Sequence, residues 1–469
     1  MGISTLWRGI FNDRCRTLNL STLGFMLILC TGQVGAQTPE TAPQAALDSA
    51  LHAIVTDTTQ PLASLSALVI RDGQVAYHKQ FGHRVLPPSI GEQGALADGQ
   101  TLYRIASISK HVTTLGAMRL VDTGQLDLDT DISRYLGFKF VNPNFPGSVI
   151  TTRMLLSHTS SLRDDAGYSL PLDVPLQSML NDQGKHWAPG AWAKRSAQED
   201  HTPGRFFHYV NLNFGVLATV IEAITHERFD QYMQRSILQP LGIPGGYTPE
   251  TLSQDDVNHL AVLYRKGQDG AWKSDGPWVA QTDDFQGKLP AQRRGFAQYV
   301  PGTNALGFGA QGGLRTTVDG LSRIMRMLMN GGELDGIRIV SAGSVAAMQS
   351  LQWRYNAQLN NGDTLDDGFY AWGLGTQRYI DFSGGPGIGD RLVSQGGLKG
   401  YGHLGFAYGL QSLFFYDPVR RIGLIYAIGG SGIDPALAKG RYSTYSAWEE
   451  KILNAMYRYA IQPPQRPLN

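Results

Sequence analysis

The chain has 469 residues, 42% of them hydrophobic and 17% charged, with 56 glycines and a formal net charge of +1. That composition describes a soluble globular protein with ample core. The near balance of acid and base predicts neither nucleic acid nor an acidic membrane surface as a partner.

The first stretch differs from the rest. Arg8, Arg14 and Arg16 precede an apolar run from Leu23 to Leu29, and Val34-Gly35-Ala36 supplies the small residues of a signal-peptidase site. Residues 1–36 are therefore expected to be an export signal cut after Ala36, giving a periplasmic or secreted protein. The run is too short to span a bilayer, and no later segment reaches the required length. Leu29 is bulky where a lipoprotein signal places a small residue before its cysteine, so no stable membrane anchor is expected at Cys30. Both cysteines, Cys15 and Cys30, fall inside this leader. The mature chain then has no disulfide, thiol nucleophile or Cys-ligated metal.

After a polar linker, Ala45 to Val55 has a helical pattern. Leu65 to Ile70 and Gln74 to Phe81 flank Arg71-Asp72-Gly73, and Asp-Gly between apolar runs is a hairpin signal. From Ile108 to about Asp122, Val112, Leu115, Met118 and Val121 recur every third position and Gly124 offers a stop, which predicts a helix. Ser107 stands at its mouth, where free N–H groups and the helix dipole favour developing negative charge. Lys110 lies three residues on, on the same helical face. Short helices and turns follow over 127–135 and 150–162. The second contains His158, expected to be a buried structural histidine satisfied by backbone.

Residues 163–201 form a long irregular segment with Trp187 and Trp192, the kind of loop that lines binding sites. Next, Tyr209 and Asn211 lie just before an apolar helix carrying Leu217, Val220, Ile221 and Ile224. Alternate residues of an extended loop point the same way, so a phenol and an amide can face one cleft. Residues 240–299 are polar and rich in Gly and Pro, hence loop-like. Gly312-Gly313-Leu314 leads into a helix with Leu321, Ile324, Met325 and Leu328, stopped at Asn330-Gly331-Gly332. The glycine run at 384–389 lacks the Lys-Ser/Thr or helix of a phosphate cradle and is expected to be a loop. Gly402-His403-Leu404-Gly405-Phe406 leads into two apolar strands, Leu410 to Tyr416 and Ile422 to Ile428, before a final helix with Trp448, Ile452, Ala455 and Met456 on one face.

Ser107-Ile108-Ser109-Lys110, Tyr209-Val210-Asn211 and His403-Leu404-Gly405, in this order and at these separations, resemble the three motifs of the serine β-lactamase and penicillin-binding-protein superfamily. The nearest likeness is to its class C-like branch, which also holds esterases and D-amino-acid peptidases. The stretches Ile150 to Ser160, Gln239 to Gly242 and Gly312 to Leu314 resemble the same family, so the likeness covers nearly all of the mature chain. It implies an α/β, β-lactamase/transpeptidase-like fold: an antiparallel sheet flanked by helices, from about 45–106 and 300–462, with a mostly helical lobe inserted at about 107–299. Residues 463–469 would be a tail.

The resemblance also implies roles. Ser107 would be the nucleophile, with Lys110, neutralised by burial, or Tyr209 taking its proton; the order between them stays open. Asn211 would anchor Lys110 or the substrate amide. The backbone N–H groups of Ser107 and Phe406 would form the oxyanion hole. Gly405, Trp187 and Trp192 are expected near the substrate. His403 stands where β-lactamases and peptidases usually carry Lys, a departure nearer to esterase and peptidase relatives, and no residue takes the part of the activating Glu of class A enzymes. The chain has no Gly-x-Ser-x-Gly elbow, no His-Glu-x-x-His and no ligand spacing among its eleven histidines, which argues against an α/β-hydrolase and against a zinc enzyme. The expected activity is cofactor-free and metal-free hydrolysis of a small ester, amide or peptide, esterase-like. The alternatives are a D,D-peptidase or β-lactamase, and a non-catalytic binder or sensor of the same fold.

Overall fold

A computed structural model describes residues 42–88, 93–268 and 270–462. The expected leader and cleavage site, both cysteines and the expected tail lie outside the described residues. Helix α1 (Ala42–Val55) buries Leu47, Leu51 and Val55, four residues apart on one stripe. Strands β1 (Ser64–Arg71) and β2 (Gln74–Val85) follow, joined through Asp72 at φ 55° and Gly73 at φ 77°. Two consecutive left-handed residues are what a two-residue hairpin with right-handed strand twist demands.

Helices α2 (Ile108–Asp122) and α3 (Leu212–Thr225) are the middle of the molecule, and α4 (Val318–Met329) is the next long helix. Sequence spacing predicts a one-sided α2, but it is buried nearly all round, with Ser109, Lys110, His111, Thr113 and Thr114 enclosed as fully as Val112 and Leu115. It is a central helix, and its polar residues turn to buried partners: Thr113 donates to the Ala310 carbonyl at 2.9 Å, and the Ser109 hydroxyl accepts the Leu314 N–H at 3.0 Å.

The C-terminal part supplies β3 (Gly400–Ala407), β4 (Leu410–Asp417), β5 (Ile422–Ile428) and α5 (Ala447–Met456). The principal sheet has nine antiparallel strands in the order Trp353–Arg354, Ala371–Trp372, Gln377–Tyr379, β3, β4, β5, β1, β2, Ala95–Leu96. Pairing of β1 with β5, from Leu65 opposite Ile428 to Ile70 opposite Gly423, stitches the two ends of the chain together. Helices cover both faces. Leu65, Ala67, Val69, Leu413, Phe415, Leu424 and Tyr426 pack with α1 and α5, while Leu68, Ile70, Phe414, Tyr416 and Ile425 pack with α2 and α4. Strands buried on both faces carry apolar residues at successive positions, which is why Leu413 to Tyr416 of β4 and the whole of β5 read as continuous runs.

His403 to Phe406 lies within strand β3, which is closed by a tight turn at Tyr408 (φ 57°) and Gly409 (φ 85°). One expectation needs correction. Residues 240–299 are not all loop. Leu263–Gln268 pairs with Ala271–Trp272, with Trp278–Thr282 and, in parallel, with Gly430–Ser431. These strands are short and carry Arg, Lys and Gln, so no apolar alternation marks them.

Candidate active site

The site is assembled where the chain leaves a short strand for α2. Tyr103–Arg104 pairs with Arg315–Thr316, and the Ile105 N–H donates to the Leu314 carbonyl at 2.9 Å. Ala106 then takes φ 48°, a left-handed conformation unusual for a residue with a Cβ, and turns Ser107 up at the helix mouth. Ser107 caps α2 without spending its hydroxyl on a capping bond, so the oxygen stays free for chemistry.

Lys110 Nζ, one turn on, lies 3.0 Å from Ser107 Oγ, 2.7 Å from Asn211 Oδ1 and 2.6 Å from the Gln311 carbonyl oxygen. The side chain is fully buried, and desolvation pulls its pKa down to about 7 against the opposing pull of the Asp164 charge. A neutral amine has two N–H groups and one lone pair. The amide oxygen and the carbonyl can only accept, so they take both N–H groups and leave the lone pair for the Ser107 proton.

Asn211 is itself oriented by Asp164, which sequence reasoning did not single out. One carboxylate oxygen of Asp164 accepts the Asn211 backbone N–H at 2.8 Å and its Nδ2 at 2.9 Å, and the other accepts the Leu212 N–H at 2.9 Å. With Nδ2 committed to a carboxylate, Oδ1 must face Lys110. Asp164 also satisfies the free N–H groups at the start of α3 and complements its dipole. The Gln311 carbonyl was missed too, although the Gly312-Gly313 turn that presents it is visible in the sequence.

Tyr209 completes the group. Its ring lies 4.4 Å from that of His158 and 5.4 Å from that of Phe369, with Lys110 Nζ 4.9 Å from its centroid. Burial raises the phenol well above its ordinary pKa. The Ser107 hydroxyl beside it offsets a little of that rise, although the two oxygens lack a hydrogen bond's geometry and the phenol oxygen is buried without a partner. His158 is 1% exposed, and its Nδ1 accepts the Val210 N–H at 3.0 Å, which fixes the backbone between Tyr209 and Asn211.

His403, also 1% exposed, donates from Nδ1 to the Leu404 carbonyl at 2.6 Å, which leaves its buried Nε2 as a bare acceptor. Desolvation first, and then the Lys110 charge, hold its pKa well below the ordinary value. It is a neutral imidazole where the resemblance would place a lysine. Further along β3, Phe406 is 60% exposed. The strand Gln377–Tyr379 meets β3 at Gly400–Gly402, and among the described residues that edge of β3 carries no strand from His403 onward. Gly405 is what lets this edge approach: a Cβ there would collide with the Ile105 carbonyl oxygen and Ser412 Oγ.

The cleft over Ser107 has a volume of about 640 Å³, within the range of small-molecule sites. Ser107, Tyr209, Asn211, His403 and Phe406 line it; Lys110 acts from beneath. Trp187 and Trp192 do not. Trp192 is 2% exposed, donates from Nε1 to the Leu180 carbonyl at 3.3 Å and packs on Phe140, while Trp187 lies against the same core. The 163–201 segment does reach the cleft, but through Asp164, Tyr168 and Ser169, and the large apolar surfaces there are Phe369, Leu365 and Leu404. Gly405 shapes the edge strand without lining the cleft. Among the described residues, no three His, Cys, Asp or Glu side chains group so as to hold a metal ion.

Residues 49–443 match the model of the family described as Beta-lactamase. Protein flp of Staphylococcus aureus strain N315 is 27% identical over 199 residues, which is 42% of this chain and 37% of that protein, so the match spans little more than a third of this curated relative. Among solved structures, D-amino acid amidase from Ochrobactrum anthropi SV3 superposes with a TM-score of 0.58 at 18% identity, over 88% of this chain and 99% of that one. EstCE1, a hydrolase with promiscuous acyltransferase activity, gives 0.57 at 20% identity, over 89% of this chain and 100% of that one. These likenesses are of fold. The family match along most of its length, ending on a serine and a buried lysine held together, means that the chain belongs to the β-lactamase family of serine hydrolases.

Proposed function

We propose that the protein is an exported hydrolase that cleaves an ester or amide of a small acyl compound through a covalent acyl-enzyme on Ser107, with an esterase-like preference. One observation carries this reading: a fully buried amine with its pKa near 7 lies 3.0 Å from the hydroxyl of a serine at a helix mouth. Lys110, with both N–H groups anchored, takes the Ser107 proton as Oγ attacks the carbonyl carbon. The Ser107 and Phe406 N–H groups stabilise the oxyanion. Tyr209, raised in pKa and therefore protonated at neutral pH, donates to the leaving group as the carbonyl–oxygen or carbonyl–nitrogen bond breaks, and is reprotonated from Lys110. Water then releases the acid from Ser107.

A neutral His403 supports the ester reading over the β-lactam one, because that end of the cleft offers no cation for a substrate carboxylate. The amide reading draws on the fold shared with the D-amino acid amidase. Fluorophosphonate treatment of the protein should add one adduct by intact mass, and Ser107→Ala should lose it. No adduct on the unsubstituted protein would leave a binder, not a catalyst. Initial rates on p-nitrophenyl butyrate, a chromogenic cephalosporin and a D-Ala-D-Ala peptide then rank the substrates, with the ester expected first. Export rests on the leader alone. Its test is the amino terminus of protein recovered from the periplasm or medium of the expressing bacterium, expected at Gln37.

A further inference from the structure

The cleft has two chemically different ends. Strand β3 runs along it with His403 toward one end, while the turn residue Tyr408 stands five positions on, about 16 Å away at the usual rise of a strand. Tyr209, the donor to the leaving group, lies with its ring 6.0 Å from that of His403. The leaving group therefore departs at the His403 end, and the acyl chain extends toward Tyr408.

The leaving-group end is uncharged. It is walled by Leu404, Phe369, Leu365 and the Tyr209 ring, with His403 neutral. At the acyl end stands Arg104. Its guanidinium carbon lies 4.5 Å over the Tyr408 ring, and Nε donates to the Gly312 carbonyl at 3.1 Å. No ion pair to it forms among the described residues. The acids of this region are committed elsewhere: Asp164 to the Asn211 backbone and side-chain N–H groups and the Leu212 N–H, Asp283 to Arg315, and Glu250 to Arg293, the cleft's other guanidinium. Asp164 is the only carboxylate among the described residues lining the cleft. Arg104 thus has no carboxylate of its own among the described residues: burial and the Arg315 charge work against its cation, while Asp283 and the Tyr408 phenol favour it from a distance, and the Gly312 carbonyl and Tyr408 hold it in orientation. An arginine fork in that condition matches a carboxylate.

Resting on the acyl-enzyme reading above, we infer that Arg104 receives a carboxylate on the acyl part of the substrate, so that preferred substrates are monoesters or monoamides of short dicarboxylic acids with an uncharged alcohol or amine leaving group. In the ester case Ser107 Oγ bonds to the carbonyl carbon, the bond to the alcohol oxygen breaks, and the Ser107 proton passes through Lys110 and Tyr209 to that oxygen. Water then cleaves the hemiacyl-serine to the free dicarboxylate.

The test is the ratio of kcat/KM for monoethyl glutarate to that for ethyl butyrate, followed by proton release. The unsubstituted protein should favour the hemiester at least about tenfold, and Arg104→Gln should reduce that ratio by about tenfold or more. A ratio the substitution does not move overturns the proposal and makes Arg104 a brace for the Gly312 turn. Should Arg104→Gln not fold, the ratio of the unsubstituted protein decides, and a value of one or less overturns it. Fluorophosphonate labelling separates this from the reading beneath it: an adduct with no hemiester preference sinks only the carboxylate assignment, whereas no adduct sinks both.

Discussion

Lys110 works only if it gives up its charge, and its surroundings pull both ways. Burial lowers its pKa to about 7, while the Asp164 carboxylate raises it. The base form is the active one, so kcat/KM should climb as pH rises through about 7, and a profile flat from pH 5 to 9 would remove Lys110 as the base. Asp164→Asn takes away the charge that favours the ammonium, so the rising limb should move to lower pH. It also loosens Asn211, so the plateau should fall. A purely structural Asp164 would lower the plateau without moving the limb. Lys110 has a stability signature of the opposite sense. With a folded pKa of about 7 against 10.5 for a free lysine, the unfolded chain binds more protons between those values, so this group's contribution to stability rises from pH 7 to pH 10.5 and its cost is complete below 7. Lys110→Met should therefore abolish turnover while raising the melting temperature at pH 6 more than at pH 10, measured by differential scanning fluorimetry. At this scale the sequence was informative for a physical reason: Ser107 and Lys110 are one helical turn apart, and Tyr209 and Asn211 are alternate residues before a helix, so local geometry alone places each pair. Asp164 was invisible because its role depends on a loop returning to the start of a helix 47 positions later.

Strand β3 and the turn before Ser107 come close at a residue that lacks a side chain. Strand β3 lies against the Ile105 carbonyl at Gly405, where a methyl group would strike both that oxygen and Ser412 Oγ. Gly405→Ala should push the edge strand outward and, on the proposed mechanism, draw the Phe406 N–H away from the oxyanion that it would stabilise with the Ser107 N–H. Loss of one such donor costs on the order of 100-fold in kcat. The measurement is kcat on p-nitrophenyl butyrate alongside the melting temperature. A variant that keeps its kcat would show that Phe406 takes no part. Elements with strong period or strong punctuation were readable from the letters: α1 from its apolar stripe, the β1–β2 hairpin from Asp72-Gly73, α4 from its apolar spacing and glycine stop, β4 and β5 from their largely apolar runs. Strand β3 has no such pattern, because Gly400, Gly402 and Gly405 dilute it; of the three, Gly405 lets the strand approach the site, while Gly400 and Gly402 lie against the Tyr416 and Phe414 carbonyls of β4. Trp187 and Trp192 misled for the converse reason. Large aromatics in an irregular segment suggest a binding wall, yet their area is more favourably buried against the core.

Across the whole molecule, the sheet brings the two ends of the chain together, but the turn carrying Ser107 is secured by a third region. Arg315 pairs through its backbone with Arg104 and through its guanidinium with Asp283, at 2.7 and 3.0 Å, and it also donates to the Gly313 carbonyl at 2.8 Å. Both partners of the ion pair are almost completely buried, Arg315 at 3% and Asp283 at 5% exposure. Such long-range closure has no local sequence signature, since residues 283 and 315 are separated by glycine-rich chain and neither lies in a motif. A buried pair stripped of one member leaves an unpaired charge in a medium that cannot solvate it. Asp283→Ala should therefore cost about 3–5 kcal/mol in urea unfolding. Because Arg315 supports both the strand entering Ser107 and the glycine turn that offers the Gln311 carbonyl to Lys110, the loss should also reach the chemistry, lowering kcat before the protein unfolds. The double variant Asp283→Ala, Arg315→Met removes the stranded charge as well and should recover much of the stability. It should recover less of kcat, since Arg315→Met also removes the bond from Arg315 to the Gly313 carbonyl. Equal recovery of both would mean that the pair supports the fold without shaping the site.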